Sequence, residues 1–201
     1  MLTIHHSPNA RSVRLIWLCE EMGVPYTTVK ASFVKPSPVF LALNPLRTVP
    51  VLQDGEVTMI ESIAMMLYVM GKYGPTDLEV KPNEAGYAEY LQFLMFGEAG
   101  LAAYGNPLVG TRYVAPDDQK QNWTATYLKT TLQKRLAFLG ERIAGRPFVA
   151  AGRFTAADIS VAYIANGAKF AGIDDDIPPA VRAYIDALHQ RPAYQRAAAV
   201  A

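Results

Sequence analysis

The stretch Val49-Pro50-Val51-Leu52-Gln53-Asp54-Gly55-Glu56-Val57-Thr58-Met59-Ile60-Glu61-Ser62 decides the fold of this 201-residue chain. Two short apolar runs flank Asp54-Gly55, a pair that favours a tight turn, and together they predict a β-hairpin. Ser62 then supplies a side chain that can cap a helix, which we expect to extend to about Tyr73. The stretch therefore predicts two antiparallel strands followed by a helix.

Upstream of the hairpin, strand and helix patterns alternate. Leu2-Thr3-Ile4-His5 and Tyr26-Thr27-Thr28-Val29 have the composition of short strands. Apolar residues between 15 and 22 recur at helical spacing, and Gly23 closes that helix. Residues 33–43 predict an irregular helix. The order β-α-β-α-β-β-α predicts a small mixed-sheet domain of about 75 residues.

Downstream of this unit the composition changes. Pro75, Pro82 and Asn83 fall within a short polar segment that has the composition of a linker. From residue 86 onward no strand pattern is found, so that the second half is predicted to be all-α. The helical patterns cover residues 86–104, 116–144, 156–170 and 179–189. We therefore expect a first α/β domain over residues 1–75, a linker over 76–85 and an all-helical domain over 86–201.

One helix start in the second half is specified by its own residues. Thr155 can cap a helix, and Asp158 three positions later completes a capping box. Phe154 and Ile159 occupy the two positions of a hydrophobic staple. We interpret this motif as a folding feature rather than a catalytic one.

Composition excludes several functional classes. The formal net charge is +1, from 19 basic and 18 acidic residues, which does not fit a nucleic-acid-binding protein. The most apolar stretch, residues 60–70, is too short to cross a membrane. Cys19 is the single cysteine and the three histidines lack metal-ligand spacing, so that we expect no disulfide and no metal. The amino-terminal residues do not have the pattern of a secretory signal, and a cytoplasmic location is expected.

The turn at residues 7–12 leads into the first helix and has the properties of an anion site. A helix N-terminus offers unpaired N–H groups and a partial positive charge, which stabilise a thiolate. A hydroxyl that donates to the sulfur would lower the pKa of the thiol further. A serine at such a turn is also commonly a plain helix cap, and both interpretations stay open.

Two further features can bind a small peptide. A cis Val49–Pro50 bond would turn the N–H and C=O of Val49 toward an incoming chain, although spacing alone favours a trans proline on an edge strand. Ser62 and the helix N-terminus can hold a carboxylate, while Glu61 can hold an ammonium group. The alternative for this pair is a helix cap beside a surface charge.

The order and spacing of these features resemble the cytosolic glutathione S-transferases. The resemblance covers nearly the whole chain and implies a thioredoxin-like N-terminal domain, an all-helical C-terminal domain and a homodimer. It also implies glutathione as co-substrate, with a small hydrophobic electrophile as the second substrate of a detoxifying transferase. The matching runs are Trp17-Leu18-Cys19-Glu20-Glu21-Met22-Gly23, Asn44-Pro45, Val49-Pro50-Val51, Glu61-Ser62-Ile63-Ala64, Phe154-Thr155-Ala156-Ala157-Asp158 and Arg191-Pro192-Ala193-Tyr194.

The resemblance also implies how glutathione would be bound. Glu61 and Ser62 would hold its γ-glutamyl end, and Val49, before a cis Pro50, would pair with the cysteinyl backbone. The glycyl carboxylate would lie near a basic residue and a polar one, Lys35 and Thr48.

The residue that activates the thiol is less well specified. Residues 5–7 stand where tyrosine-type members carry their tyrosine, and Arg11 stands near the position of the cysteine in cysteine-type members. The chain therefore resembles the bacterial-type, serine-like members. Ser7 is the first choice, and Asn9 and Ser12 are the alternatives, since each can donate a hydrogen bond.

The electrophile should bind between the two domains, beside the first long helix of the second domain. A tyrosine there would donate to a leaving group or an oxyanion, although Phe96 and Tyr104 are equally well explained as helix-packing aromatics. The candidates are Phe96, Tyr104, Asn106, Leu108 and Tyr113. Two other functions stay open: a non-catalytic glutathione- or ligand-binding protein, and a specialised glutathione-dependent isomerase or lyase.

Overall fold

A computed structural model describes residues 1–200 of the chain. It contains two compact units. The first comprises residues 1–76 together with residues 189–200, and the second comprises residues 77–188. The residues after 188 thus pack with the first unit, although the sequence-based boundaries assigned them to the helical half.

The first unit is built on a four-stranded sheet with the order β2-β1-β3-β4. β1 runs parallel to β2 and antiparallel to β3, and β3 and β4 form the hairpin expected around Asp54-Gly55. In the register of the sheet, His5 of β1 lies opposite Val51 of β3. The strands are β1 (Leu2–His6), β2 (Tyr26–Lys30), β3 (Val51–Asp54) and β4 (Val57–Met59).

Four helices belong to this unit, α1 (Ser12–Met22), α2 (Pro38–Leu43), α3 (Ser62–Tyr73) and, near the end of the chain, α9 (Pro192–Ala198). The predicted element order is confirmed, but α2 is shorter than the expected helix over 33–43. It begins only at Pro38, because the side chain of Ser37 caps it by accepting from the N–H of Phe40 at 3.2 Å. α9 was not predicted from the sequence.

α1 is buried along eight consecutive residues, from Ser12 to Cys19. It packs against β1, α3 and α9, so that it has no wide solvent-facing side over this length. Two polar residues, Ser12 and Arg14, are therefore enclosed in the unit with no measurable exposure. Buried polar groups of this kind require hydrogen-bond partners, and both have them.

The second unit is all-helical, as expected. Its helices are α4 (Tyr87–Met95), α5 (Ala103–Val114), α6 (Trp123–Ile143), α7 (Ala156–Gly167) and α8 (Pro179–His189), and a π-helical segment (Phe96–Ala102) joins α4 to α5. The helix expected over 86–104 thus continues through this segment to Val114. α6 begins at Trp123 instead of residue 116, because Asn122 caps it by accepting from the N–H of Ala125 at 2.9 Å.

The π-helical segment packs closely against α7. A Cβ built on Gly97 would lie 2.2 Å from Oγ of Ser160, so that only glycine permits this approach. The Ser160 hydroxyl donates to the carbonyl of Leu94 at 2.8 Å. Short π-helical segments are irregularities that sequence periodicity does not reveal.

The capping box at the start of α7 is confirmed. The buried carboxylate of Asp158 accepts from the N–H and the hydroxyl of Thr155, from the N–H of Val149 and from the Tyr184 hydroxyl, at 2.8–3.1 Å. Burial raises the pKa of Asp158 to about 6, although the four donors act in the opposite direction. All its partners lie inside the second unit, which supports the folding role.

Candidate functional site

The turn between β1 and α1 carries two of the three candidate thiol-activating residues. Ser7 is half-buried, and Asn9 is exposed at the tip of the turn. Asn9 has a φ of 59°, in the left-handed region that asparagine tolerates better than most residues. The carbonyl of Ser7 accepts from the N–H of Ala10 at 3.1 Å, which closes the turn. Both polar side chains therefore lie at the amino end of α1.

Ser12, the third candidate, has a different environment. It is the first residue of α1 and has no measurable solvent exposure. Its Oγ lies 2.8 Å from Nδ1 of His6 and 3.4 Å from the carbonyl oxygen of Ser7. These contacts engage the hydroxyl within the protein, and they favour Ser7 and Asn9 over Ser12 as donors to a ligand.

The Val49–Pro50 peptide bond is cis, as the resemblance implied. A second cis bond, Gly74–Pro75, was not predicted. Among residues 1–200, the N–H and the C=O of Val49 make no backbone hydrogen bond. A peptide ligand that lies beside Val49 would satisfy both groups, in the way that an added strand pairs with a sheet edge.

A buried asparagine that the sequence analysis did not assign a role organises the loop before Val49. Asn44 donates from Nδ2 to the carbonyl of Thr48 at 2.8 Å and to its hydroxyl at 2.9 Å. Its Oδ1 accepts from the N–H of Leu46 at 3.0 Å. The last contact closes an Asx turn, a structure that Asn-Pro pairs favour and that the sequence could have indicated.

At the start of α3, the backbone of Glu61 is strained and the hydroxyl of Ser62 is held by a hydrogen bond. Glu61 is exposed and has a φ of 76°, which a residue with a Cβ rarely adopts. Ser62 is buried, and its Oγ accepts from Nη1 of Arg14 at 3.2 Å. Because a guanidinium only donates, the Ser62 hydroxyl keeps its proton for another acceptor such as a carboxylate.

Arg14 was missed by the sequence reasoning. It has no measurable exposure, yet it lies on the first helix among apolar residues, where the sequence gives no reason to expect a buried cation. Through Ser62 it connects α1 to the amino end of α3.

One small apolar cluster brings these three features together. Val49 and Val51 form its buried part with Ala31 and Phe40, and Ala10 of the turn and Ile60 pack against it. Ala10 follows Asn9, and Ile60 precedes Glu61. The turn, the Val49 edge and the start of α3 therefore surround the same cluster, at the end of the sheet where β1 finishes and β3 begins.

The remaining glutathione-site candidates lie on loops of the first unit. Thr48 is half-buried beside Val49, and its hydroxyl accepts from Asn44. Lys35 is exposed, and its backbone N–H donates to the Ser32 hydroxyl at 3.0 Å. Cys19 is fully buried in α1, and burial raises the pKa of its thiol to about 12, so that it does not supply a thiolate.

The electrophile-site candidates all lie in the second unit, and most have partners there. The Phe96 ring packs against Phe93 and Phe138, with ring centroids 5.7 and 5.6 Å apart. Nη2 of Arg135 donates to the Tyr104 hydroxyl at 3.1 Å, which leaves the phenolic proton for another acceptor. Their role in binding an electrophile stays a prediction. Of the other candidates, Leu108 is buried, and Asn106 and Tyr113 are exposed.

Residues 1–200 offer neither a cluster of metal ligands nor a membrane-spanning helix. They contain no group of three or more histidine, cysteine or acidic side chains placed to hold a metal ion. In the same range, every helix is too short or too polar to cross a membrane.

Comparison with protein families gives a match in each half of the chain. Residues 2–77 match the model of the glutathione S-transferase N-terminal domain, and residues 121–187 match that of its C-terminal domain. Together these stretches cover more than two thirds of the sequence. The fold class expected from the resemblance, a thioredoxin-like α/β domain followed by an all-helical domain, is thereby confirmed.

Individual relatives give the same result. The chain is 29% identical to glutathione S-transferase 3 of Schizosaccharomyces pombe in an alignment 184 positions long, which covers 81% of this chain and 72% of the relative. It is 28% identical to glutathione S-transferase 3 of Zea mays in a gapped alignment 211 positions long, which covers 96% of this chain and 90% of the relative.

Solved structures with the same fold include two proteins of different description. The glutathione transferase URE2P6 of Phanerochaete chrysosporium, in complex with oxidized glutathione, superposes with a TM-score of 0.84 at 24% identity, over 98% of this chain and 94% of that one. The nitrogen regulation fragment of the yeast prion protein Ure2p superposes with a TM-score of 0.84 at 20% identity, over 98% and 95%. At these identities, the likeness concerns the fold alone.

Proposed function

Because this chain belongs to the glutathione S-transferase family of enzymes, we propose that it binds glutathione on its first unit and directs the thiolate at a small electrophile. The observation that carries the proposal is the shared apolar cluster, around which the β1–α1 turn, the Val49 edge and the start of α3 meet. The turn would donate a hydrogen bond to the sulfur of glutathione, and the Val49 edge would pair with its peptide backbone. The start of α3 would bind its amino-acid end.

The γ-glutamyl end is assigned to Glu61 and Ser62. The exposed Glu61 carboxylate would accept from the α-ammonium group, and the Ser62 hydroxyl would donate to the α-carboxylate. The contact from Arg14 supports the second role, since it orients Ser62 as a donor toward the ligand. The amino end of α3 adds a partial positive charge beside that carboxylate.

The middle and the glycyl end of glutathione are assigned to the loop before β3. The backbone N–H and C=O of Val49, followed by cis Pro50, would pair with the cysteinyl residue. The hydroxyl of Thr48 accepts from Asn44, which leaves its own proton for the ligand. Lys35, exposed on the preceding loop, would approach the glycyl carboxylate.

Thiol activation is assigned to Ser7, with Asn9 as the alternative donor on the same turn. A reduction of the thiol pKa by about two units, equivalent to roughly 2.7 kcal/mol, leaves most of the thiol ionised near neutral pH. A hydrogen bond to a charged group contributes about 1.5–3 kcal/mol, and a helix N-terminus adds about 0.3–1 kcal/mol. Both sources together are sufficient, and the chain would then be a serine-type member of the family.

The second substrate is a small hydrophobic electrophile. The thiolate forms a C–S bond with its carbon, and the bond from that carbon to the leaving group breaks, so that the group departs with the electron pair, as chloride does from a chloronitroaromatic acceptor. The helical domain would supply its site through Phe96, Tyr104, Asn106, Leu108 and Tyr113. A homodimer, a cytoplasmic location and a domain boundary between residues 75 and 86 belong to the same proposal.

The alternative is a non-catalytic glutathione-binding protein on the same fold. The same fold also occurs in the nitrogen regulation fragment of Ure2p, so the fold by itself does not distinguish the two functions.

Calorimetry with glutathione and a turnover assay with a chloronitroaromatic acceptor test the proposal. We expect the parent protein to bind and turn over, and Ser7→Ala to bind glutathione normally while it raises the pKa of the bound thiol and loses activity. Asn9→Ala is the matched variant on the same turn. Binding without turnover across a panel of electrophiles would favour the alternative, and absence of binding would refute both.

A further inference from the structure

His6, the last residue of β1, lies between the start of α1 and the residues that follow α9. Its ring is buried, with 1% exposure. Nδ1 lies 2.8 Å from Oγ of Ser12, and Nε2 lies 3.2 Å from the backbone carbonyl oxygen of Val200. Both ring nitrogens are thus within hydrogen-bond distance of an oxygen, on opposite sides of the ring.

The partners of His6 determine which nitrogen carries the proton. A carbonyl oxygen only accepts, so Nε2 must be the N–H that donates to Val200. Burial lowers the pKa of His6 and so favours the neutral ring, although the hydrogen bond to the Val200 carbonyl acts in the opposite direction. A neutral imidazole has one N–H, so Nδ1 is an acceptor and the Ser12 hydroxyl donates to it.

The donated proton fixes the orientation of the Ser12 hydroxyl. The oxygen of that hydroxyl lies 3.4 Å from the carbonyl oxygen of Ser7. Because the one proton of the hydroxyl is donated to His6, the Ser7 carbonyl accepts from the N–H of Ala10 instead. Ser12 is the first residue of α1, so that the arrangement ties the end of β1, the turn and the helix start to one another. His6 and Ser12 flank the turn on its two sides, so the bond between them closes the segment that contains Ser7 and Asn9.

Residues 190–200, here called the α9 segment, hold the other side of His6. Arg191 forms a two-pronged ion pair with Glu21 near the carboxyl end of α1, at 2.6 and 2.8 Å. The Tyr194 ring packs against Trp17 at 4.8 Å between centroids. Val200 then lies against His6, at the amino end of α1. The α9 segment therefore runs the length of α1, from its last turn back to its first.

We propose that His6 is a positioning residue for thiol activation, which is oriented by the α9 segment and, through Ser12, holds the turn that presents Ser7 and Asn9 to the sulfur of glutathione. This inference rests on the proposed function. It assigns His6 no contact with glutathione and no proton transfer, and its effect passes through Ser12 alone.

Two isosteric substitutions separate the two bonds of His6. Asparagine places an acceptor where Nδ1 stands, so His6→Asn can retain the bond from Ser12 and loses the donor to Val200. Glutamine places a donor where Nε2 stands, so His6→Gln can retain the bond to Val200 and loses the acceptor for Ser12. His5→Gln is the matched control on the same strand, because His5 is also buried but contacts Gln53 instead of the turn.

The experiment measures the pKa of the glutathione thiol bound to each variant, by thiolate absorbance, together with kcat, KM and the melting temperature. We expect His5→Gln to keep the thiol pKa of the parent. His6→Asn keeps the bond from Ser12 but loses the orientation given by Val200, so it should raise the thiol pKa by less than His6→Gln does. We expect His6→Gln to raise it by about one unit, which lowers the thiolate fraction about tenfold at pH values below both pKa values, with KM for glutathione changed less than about threefold. A residue that only stabilises the fold would change the melting temperature without moving the thiol pKa.

A double-mutant cycle tests the route through Ser12. Ser12→Ala should raise the thiol pKa as His6→Gln does, and adding His6→Gln to Ser12→Ala should then change nothing further. Additive effects, or an unchanged thiol pKa in either single variant, would overturn the inference. Ser12→Ala also gives an answer if His6→Gln does not fold.

Failure of the proposed function has a different signature. If the parent protein does not bind glutathione, the proposed function is wrong whatever the variants do. If the parent is active and Ser7→Ala is impaired while His6→Gln is normal, the inference about His6 alone is wrong.

Discussion

Replacing Glu61 with glycine is expected to make the protein more stable and to weaken its binding of glutathione. Glu61 has φ 76° and ψ 102°, outside the regions that residues with a Cβ favour. Such a backbone costs about 1–3 kcal/mol. Glycine lacks the Cβ and so relieves the part of this cost that the Cβ causes, but it loses about 0.5–1 kcal/mol more in conformational entropy on folding. The net expected gain in the free energy of unfolding is therefore about 0.5–2 kcal/mol.

The same substitution removes the carboxylate assigned to the α-ammonium group of glutathione. A hydrogen bond to a charged group contributes about 1.5–3 kcal/mol, so its loss should weaken binding by about tenfold to a hundredfold. Urea unfolding measures the first effect, and calorimetric titration with glutathione measures the second. Opposite changes in stability and affinity would indicate that the strained backbone is kept for binding.

Two variants serve as controls. Glu61→Gln keeps the backbone conformation and the side-chain length but removes the charge, so it should lose affinity at unchanged stability. Ala151→Gly relieves a second positive φ, of 53°, in the helical unit, and it should raise stability without changing affinity. The reasoning is refuted if Glu61→Gly is less stable than the parent, or if it binds glutathione as tightly.

Two more predictions concern the first unit. Asn44→Ala removes three hydrogen bonds from the loop before Val49, so it should lower the free energy of unfolding by about 1–3 kcal/mol. It should also raise KM for glutathione with kcat little changed, and a lower kcat at unchanged KM would contradict the role of this loop in binding. The second concerns Asp54. Hydrogen bonds from Lys72, which contributes most, and from Tyr73 and Tyr68 lower the pKa of this carboxyl group to about 2. An aspartate in the unfolded chain has a pKa of about 3.9. Because the folded pKa is lowered, this stabilisation is present above about pH 4 and is lost as pH falls toward 2, so the difference in urea midpoint between the parent and Asp54→Asn should shrink over that range. An equal difference at pH 6 and pH 2.5 would exclude this role of Asp54.

Much of the fold is determined by short-range patterns in the sequence. The hairpin around Asp54-Gly55, the helix that starts at Ser62 and the capping box of Thr155 and Asp158 each depend on residues within a few positions of one another. Backbone propensity and side-chain capping operate over that distance, so that these elements were predicted correctly. The candidate residues on the turn and at the start of α3 were found in the same way, since helix termini are local features.

Only the tertiary structure decided what surrounds those residues. Arg14 meets Ser62 from 48 positions away, and His6 meets Val200 from 194 positions away. The burial of α1 on all sides, the packing of α9 against it and the shared cluster of Ala10, Val49 and Ile60 likewise depend on contacts distant in the sequence. A local pattern shows that a residue can donate or accept a hydrogen bond. Its partner depends on which segments pack together, and these segments can be far apart along the chain. Such distant pairs leave no periodic signal in the sequence.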